Sequence, residues 1–286
     1  MKKIAIIGLG LIGGSIGLGL KASEKASEFK IVGIPRRDET IGDALKAGAI
    51  DEGLTDHVKG AADADLVFVC TPINLIVEIV REIAPNLKKG AIVTDVGSSK
   101  QMIVSEIEKI MPKGTFFVGG HPMAGKETFK LEAAESDLFA GKKWILTPTS
   151  KTGKKAVESI KEIISLLKAD ILEIDPKTHD LLVAGISHMP LAVAASIVNA
   201  VAGEEQKDLM ARVSASGFRD TTRVASGDPV LGADMFVTNQ KAVLKMIGSF
   251  KKSLSTLEKL IKEGNGEKIR EELEKAKKFR DLIFEK

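Results

Sequence analysis

Short apolar runs alternate with longer helical patterns through the first 175 residues of the chain. The runs are rich in Val and Ile, and the segments between them carry apolar residues at intervals of three and four. Strands that alternate with helices predict an α/β domain with a doubly wound parallel sheet. The predicted strands are residues 3–7, 30–33, 65–70, 91–95, 115–118, 144–147 and 170–174.

The pattern changes at Asp175-Pro176, after which strand-like runs are not found in the sequence. Aspartate is favoured at a helix N-cap and proline at the first helical position, so a long apolar helix is predicted to begin here. Two further helices each carry one apolar stripe and are separated by Gly264-Asn265-Gly266. The stripes consist of Val243, Ile247, Phe250, Leu254, Leu257 and Ile261, and then of Ile269, Leu273, Ala276 and Phe279. We therefore predict two domains, residues 1–175 and an all-helical domain of residues 176–286.

The apolar segment at residues 180–203 is long enough to resemble a membrane span. It contains His188, Pro190 and Asn199 and lacks aromatic anchors at its ends, so a helix buried in a protein core is the prediction. The amphipathic helices around it offer too little apolar cover, which favours association with a second copy. A homodimer is expected.

Composition narrows the class of protein. Lys and Arg exceed Asp and Glu by three, and this balance gives no electrostatic case for nucleic-acid binding. The single cysteine, Cys70, cannot form an internal disulfide, which fits a cytoplasmic, reducing environment. Since no two histidines have the spacing of metal ligands, no metal site is predicted.

A glycine-rich turn follows the first predicted strand. The segment Gly8-Leu9-Gly10-Leu11-Ile12-Gly13 matches the dinucleotide fingerprint, in which two glycines allow close approach to a pyrophosphate and a third lets helix and strand pack. A tight turn without a ligand is the alternative interpretation. We expect Gly8, Gly10, Leu11, Ile12 and Gly13 to contact a nicotinamide cofactor.

The preference for NAD or NADP depends on the residues at the end of the second strand. An acidic residue at that place would bind the ribose hydroxyls of NAD, but the chain has Arg36 and Arg37 there. Two guanidinium groups suit a 2′-phosphate, so NADP is predicted and NAD remains possible. A solvated turn is the alternative role of the two arginines, and Asp38 could still reach a ribose.

Small polar groups follow three other predicted strands. Thr71-Pro72 follows the third, Ser98 lies beyond the fourth, and His121 follows the fifth. Strand ends of one parallel sheet share an edge, so these residues should converge with Gly8 on one crevice, with Thr71, Pro72 and Ser98 at the cofactor. Ser98 could instead cap the next helix. This convergence points to an enzyme with a small-molecule substrate.

Six motifs together resemble one enzyme family, in order along nearly the whole chain. They are residues 8–15, residues 94–100, residues 120–125 with Glu127, His179-Asp180, residues 187–190 and residues 217–223. The combination is similar to the prephenate/arogenate dehydrogenase family of tyrosine biosynthesis. That resemblance implies oxidative decarboxylation of arogenate or prephenate to tyrosine or 4-hydroxyphenylpyruvate, with hydride transfer to NADP and without a metal.

The resemblance also implies roles for individual residues. His121 would be the proton acceptor, since a neutral imidazole is available as a base at physiological pH. Ser98 would bind the same substrate hydroxyl or orient the histidine and nicotinamide. Arg223 would bind a substrate carboxylate from the helical domain, of either subunit. Glu127 matches an acid near the pocket mouth, although a solvated loop residue fits it almost as well.

The two remaining motif histidines, His179 and His188, are candidates for substrate binding or for structural roles. They are nine positions apart, which places them on opposite faces of a regular helix unless Pro190 disturbs it. Leu191 departs from the family pattern, which often has a histidine there. Members with an apolar residue at this position and paired arginines after the second strand tend to use arogenate and NADP.

Two other classes of protein share parts of this pattern. The β-hydroxyacid dehydrogenases and imine reductases have the fingerprint and a helical second domain, but they depend on a lysine or polar group of that domain. A non-catalytic NADP-sensing protein would bind the cofactor without turning over a cyclohexadienol. The combination of His121, Ser98 and Arg223 favours the dehydrogenase over both.

Overall fold

The structure is a computed structural model of the chain and describes residues 1–126, 128 and 130–284. Eight strands form one sheet in the order β3-β2-β1-β4-β5-β6-β7-β8. Strands β1 to β6 are parallel, β7 is antiparallel to β6, and β8 is parallel to β7. The strands are β1 Lys2–Ile7, β2 Phe29–Ile34, β3 Glu52–Gly53, β4 Leu66–Val69, β5 Ile92–Asp95, β6 Phe116–Pro122, β7 Lys143–Thr147 and β8 Asp170–Glu173.

Helices cover both faces of this sheet. The six helices of this part are α1 Leu11–Lys21, α2 Asp38–Lys46, α3 His57–Ala61, α4 Ile73–Ile83, α5 Gln101–Ile110 and α6 Lys154–Leu166. Side chains of α1, α2 and α6 pack into one apolar core with one side of the strands, and those of α3, α4 and α5 into a second core on the other side. The sheet order 3-2-1-4-5-6 is the doubly wound arrangement, so the predicted fold class is confirmed. The crevice of such a sheet lies at the carboxyl ends of β1 and β4.

Two features of the sheet differ from the sequence prediction. The edge strand β3 is not predicted, because it has only two residues and neither of them belongs to an apolar run. The prediction that His121 lies in a turn after its strand is wrong, since β6 extends to Pro122. His121 pairs with Ile145 of the antiparallel strand β7. The hydrogen bonds between β6 and β7 hold the chain extended for four residues past Val118. Because this pair is antiparallel, the sheet is not wholly parallel.

After residue 175 every described regular element is a helix or helical turn, as predicted. They are α7 Pro176–Val183, a π-turn Ala184–His188, α8 Met189–Ala202, α9 Lys207–Val213, α10 Ser216–Thr222, a 3-10 turn Arg223–Ser226, α11 Pro229–Thr238, α12 Gln240–Lys262 and α13 Gly266–Phe284. Asp175 caps α7, its carboxylate accepting from the backbone N–H groups of Lys177 at 3.1 Å and Thr178 at 3.0 Å. The turn between α12 and α13 has Gly264 in the left-handed region.

By spatial proximity the chain divides into two compact units, Met1–Gln240 and Lys241–Lys286. Helix α7 packs against α5 and β7, so this helix lies in the same unit as the sheet. The predicted boundary at residue 175 marks a change of sequence pattern rather than a gap in packing.

The long apolar segment Pro176–Ala202 has the length and composition of a membrane-crossing helix. Only 22% of its most apolar 18-residue stretch is buried. The prediction of a helix buried within the core is therefore wrong for the single chain. Its neighbours cover one narrow face, while Ile186 is 70% exposed and Leu182 is 45% exposed. The stripes predicted on α12 and α13 likewise leave Leu254 and Phe279 exposed.

Candidate active site

The glycine turn after β1 has the close backbone contacts that only glycine permits. Gly8 has a φ of +92°, and a Cβ there would lie 2.5 Å from the carbonyl oxygen of Cys70. A Cβ on Gly13 would lie 1.9 Å from the carbonyl oxygen of Gly8. Gly10 is the N-cap of α1 and has no side chain. The first backbone N–H groups of α1 therefore receive no capping hydrogen bond from it. This geometry fits an anion such as a pyrophosphate.

The other predicted cofactor residues lie around this turn. Leu11 is buried in the core and Ile12 packs against it, so the groups that these residues can offer an anion are backbone N–H groups rather than side chains. Arg36 and Arg37 follow the end of β2 and are exposed, and Arg37 is the extended residue that precedes α2. They stand on the side of the turn where the adenosine ribose of a bound dinucleotide is expected.

Thr71 and Ser98 bring hydroxyl groups to the same sheet edge. Both Oγ atoms are buried without a hydrogen-bond partner among the described residues. The methyl group of Thr71 lies 3.3 Å from the Cβ position of Gly8, and Pro72 is the exposed residue that precedes α4. Ser98 does not cap α5, so the alternative capping role is not observed. The two hydroxyls are available to a ligand at the crevice.

A buried carboxylate connects the loop that carries Ser98 to the strand that carries His121. One oxygen of Asp95 accepts from the backbone N–H of Gly97 at 2.9 Å, and the other accepts from the N–H of Gly120 at 3.1 Å. The ammonium group of Lys100 also pairs with Asp95, and both side chains are fully buried. Burial lowers the pKa of Lys100. No local pattern in the sequence indicates this pair, although both residues lie within one of the motifs.

Asp180 of α7 occupies the N-terminus of α5. Its carboxylate accepts from the backbone N–H groups of Lys100 at 2.7 Å and Gln101 at 2.9 Å. These amides carry the positive end of the helix dipole, so a carboxylate is stabilised there. The same carboxylate contacts Nδ1 of His179 at 2.8 Å. Asp180 thus fixes both the helix start and the orientation of His179.

His179 in turn holds His121. The distance from His179 Nε2 to His121 Nδ1 is 2.9 Å, and His179 is fully buried. A carboxylate can only accept, so His179 carries its proton on Nδ1 and its Nε2 is an acceptor. His121 Nδ1 must then donate, which leaves His121 Nε2 with a free lone pair. The arrangement makes His121 a proton acceptor at Nε2.

The environment keeps the imidazole of His121 neutral. Its pKa is lowered well below the usual value, first because the ring is desolvated and then because positive charge on His179, Lys100 or His188 would repel a proton. The pKa of His179 is also lowered, again mainly by burial. A neutral imidazole is the form that can accept a proton.

The π-turn Ala184–His188 places His188 on the same side of the helical segment as His179. Nine residues of regular α-helix rotate a side chain by about 180°, whereas one extra residue in a π-turn reduces this to about 80°. Both histidines are fully buried. The helix is thus disturbed, as the exception named for Pro190 allowed, and the π-turn ends two residues before Pro190. Nδ1 of His188 lies 3.2 Å from the amide nitrogen of Asn239.

Two other predicted residues lie in the helical segments that follow α7. Arg223 is exposed at the start of the 3-10 turn Arg223–Ser226, which packs against α8. Leu191 lies on α8 with its Cδ2 3.3 Å from the Cβ position of Gly232 in α11. Glu127 lies outside the described residues.

Two family models match consecutive parts of the chain. Residues 16–173 match the prephenate dehydrogenase nucleotide-binding domain, and residues 175–275 match the prephenate dehydrogenase dimerization domain. Prephenate dehydrogenase of Bacillus subtilis (strain 168) is 35% identical over 97% of this chain and 75% of its own length.

Two solved structures are similar over their full length. One is prephenate dehydrogenase from A. aeolicus in complex with hydroxyphenyl propionate and NAD+, with a TM-score of 0.91, 35% identity and coverage of 99% of this chain and 98% of that one. The other is Synechocystis arogenate dehydrogenase, with a TM-score of 0.87, 33% identity and coverage of 98% and 99%. The motifs, the fold and these matches agree, and the chain belongs to the prephenate/arogenate dehydrogenase family.

Proposed function

We propose that this protein catalyses the oxidative decarboxylation of arogenate, or of prephenate, to tyrosine or 4-hydroxyphenylpyruvate. The observation that carries the proposal is the hydrogen-bonded sequence Asp180, His179, His121, which leaves a neutral imidazole with a free Nε2 on a strand of the nucleotide-binding sheet. Relatives with this activity in their names cover nearly the whole chain.

The chemistry needs a base at the ring hydroxyl. His121 Nε2 takes the hydroxyl proton while the hydrogen on the same ring carbon leaves as hydride. A bound nicotinamide supplies the hydride acceptor. The bond to the ring carboxylate then breaks, carbon dioxide leaves, and its electron pair completes the aromatic ring. His121 returns the proton to the phenol oxygen, so the base is regenerated. Ser98 would hold the hydroxyl oxygen in place.

The substrate would be held by charged and polar groups near this base. Arg223 is proposed to bind a carboxylate, which a guanidinium can do with two parallel hydrogen bonds. His188 and His179 line the cluster around His121, and Glu127 is proposed at the pocket mouth. The apolar Leu191 supports a preference for arogenate, by analogy with family members that share it.

The cofactor is proposed to be NADP. The glycine turn and the uncapped start of α1 fit a pyrophosphate, and the exposed Arg36 and Arg37 suit a 2′-phosphate. NAD is the alternative, because Asp38 begins α2 directly after the two arginines.

Replacing Arg36 and Arg37 together with Gln should raise the KM for NADP at least about tenfold and leave the KM for NAD nearly unchanged, because two charge-assisted hydrogen bonds are lost only with the phosphate. Steady-state kinetics with each cofactor measure this. The matched control is Lys2 and Lys3 changed to Gln, which removes the same charge at the start of β1. Equal changes in the KM for NADP and for NAD would show that the arginines do not bind the 2′-phosphate.

A homodimer is proposed as the working form. The exposed apolar side chains of Pro176–Ala202, α12 and α13 need cover, and residues 175–275 match a family model described as a dimerization domain. Light scattering of the purified protein at micromolar concentration should give twice the 30.6 kDa mass of one chain. A monomer mass would overturn the proposal.

The test of the activity is the rate of reduced-nicotinamide formation with arogenate and with prephenate, each with NADP and with NAD. Turnover with either substrate supports the dehydrogenase, and the fastest pair identifies substrate and cofactor. Cofactor binding without turnover in all four mixtures would instead support the NADP-sensing alternative.

A further inference from the structure

Asn239, at the end of α11, connects Asp180 to the third buried histidine. Its amide nitrogen donates to the backbone carbonyl of Asp180 at 2.8 Å and lies 3.2 Å from Nδ1 of His188. Asn239 is 4% exposed and His188 is fully buried. A carbonyl oxygen only accepts, so the amide atom that faces it is the nitrogen. That nitrogen has a second hydrogen, which is available to His188.

This contact determines the tautomer of His188. An amide nitrogen can only donate, so Nδ1 of His188 must be an acceptor and carry no proton. The pKa of His188 is lowered to about 4, mainly by burial, so the ring is neutral at physiological pH. A neutral ring without a proton on Nδ1 carries it on Nε2. His188 is therefore a donor at Nε2, whereas His121 is an acceptor at its own Nε2.

The Nε2 donor of His188 has no hydrogen-bond partner among the described residues, although it is buried. A buried donor without a partner costs free energy, and in an enzyme such a group is expected to meet a ligand. Asn239 links His188 to Asp180, and the neighbouring His179 contacts His121, so the two rings belong to one hydrogen-bonded cluster. An oxygen of a ligand held beside His121 is a suitable acceptor.

We propose that Asn239 is a positioning residue that fixes His188 in its Nε2–H tautomer, so that His188 donates to a carboxylate oxygen of the bound substrate. The second part rests on the proposed function, because that substrate has carboxylates. Asp180 thereby controls two histidines in opposite ways. Its carboxylate acts through His179 to make His121 an acceptor, and its backbone carbonyl orients Asn239 to make His188 a donor.

The tautomers can be measured without substrate. The chain has four histidines, so ¹⁵N-histidine labelling of the full-length protein gives a spectrum simple enough to assign with single His→Gln variants. At neutral pH His188 should show a protonated Nε2 and an unprotonated Nδ1, and His121 and His179 the reverse. A protonated Nδ1 on His188, or an average of both tautomers, would overturn the proposal.

The substitution Asn239→Asp tests the consequence. A carboxylate only accepts, so it should draw a proton to Nδ1 of His188 and change its ¹⁵N pattern. The KM for arogenate or prephenate should rise about tenfold to a hundredfold, with kcat little changed, as expected for a lost hydrogen bond to a charged group. Asn86→Asp, at an exposed position, is the matched control and should change neither.

The outcomes separate the two proposals. A changed tautomer with an unchanged KM would refute the substrate contact of His188. If Asn239→Asp does not fold, the wild-type spectrum still decides the tautomer. A wild-type protein with the expected spectrum but no turnover would refute the proposed function while supporting the role of Asn239 in fixing the tautomer.

Discussion

Replacing His121 with Asn should lower kcat by about 10²–10⁴-fold, the range expected when a general base is lost. Asparagine can accept a hydrogen bond but cannot take up a proton at neutral pH. Binding of NADP should change little, because the glycine turn and α1 are untouched. Turnover is measured by reduced-nicotinamide formation, and cofactor affinity by fluorescence titration. Near-normal turnover would eliminate His121 as the base.

Two further observations sharpen this test. His57→Asn is the matched control, since His57 begins the surface helix α3 and is not part of the histidine cluster; it should leave kcat unchanged. The pH profile of the wild type gives an independent check. Only the neutral imidazole is a base, and the pKa of His121 is lowered, so the acid limb of kcat/KM should lie below pH 6.5. An acid limb above that pH would contradict the assignment.

Asp180→Asn should lower kcat by about 10²–10⁴-fold although Asp180 does not touch substrate in the proposed mechanism. Three donors converge on its carboxylate, namely His179 Nδ1 and the backbone N–H groups of Lys100 and Gln101. Oδ1 accepts from both His179 Nδ1 and Lys100, and Oδ2 accepts from Gln101, so an amide nitrogen in the place of Oδ1 would face His179 with a donor. His179 would shift its proton to Nε2, His121 would then carry its proton on Nε2, and the lone pair needed for catalysis would be lost.

Asp175→Asn provides a matched control for Asp180→Asn. Asp175 lies five residues earlier in the same segment and caps α7 through its carboxylate. Asparagine is as good an N-cap as aspartate, so stability and kcat should both be preserved. The ¹⁵N spectrum of Asp180→Asn should show the protons of His179 and His121 on Nε2. A folded Asp180→Asn protein with wild-type kcat would disprove the relay from Asp180 to His121.

Much of the site can be predicted from the sequence, because the placement of these residues depends on short segments of the chain. The glycine turn and Ser98 each follow a Val- and Ile-rich strand, and His121 lies near the end of β6. Parallel strands bring their carboxyl ends together. The role of Lys100 is not predictable from the sequence, because a lysine near a helix start normally faces solvent. Its burial depends on Asp95, which also contacts Gly120 across the neighbouring strand. No local pattern contains that contact.

The sequence by itself determined the doubly wound sheet, the all-helical second half and the start of α7 at Asp175, since strand alternation, helix periodicity and capping are set within a few residues. Only the tertiary structure decided the direction of β7, the π-turn that brings His188 to the side of His179, and the contact of Asp180 with α5. Asp180 and Lys100 are 80 positions apart. Their contact, and with it the tautomer of His121, arises from the packing of α7 on α5, which local propensity does not encode.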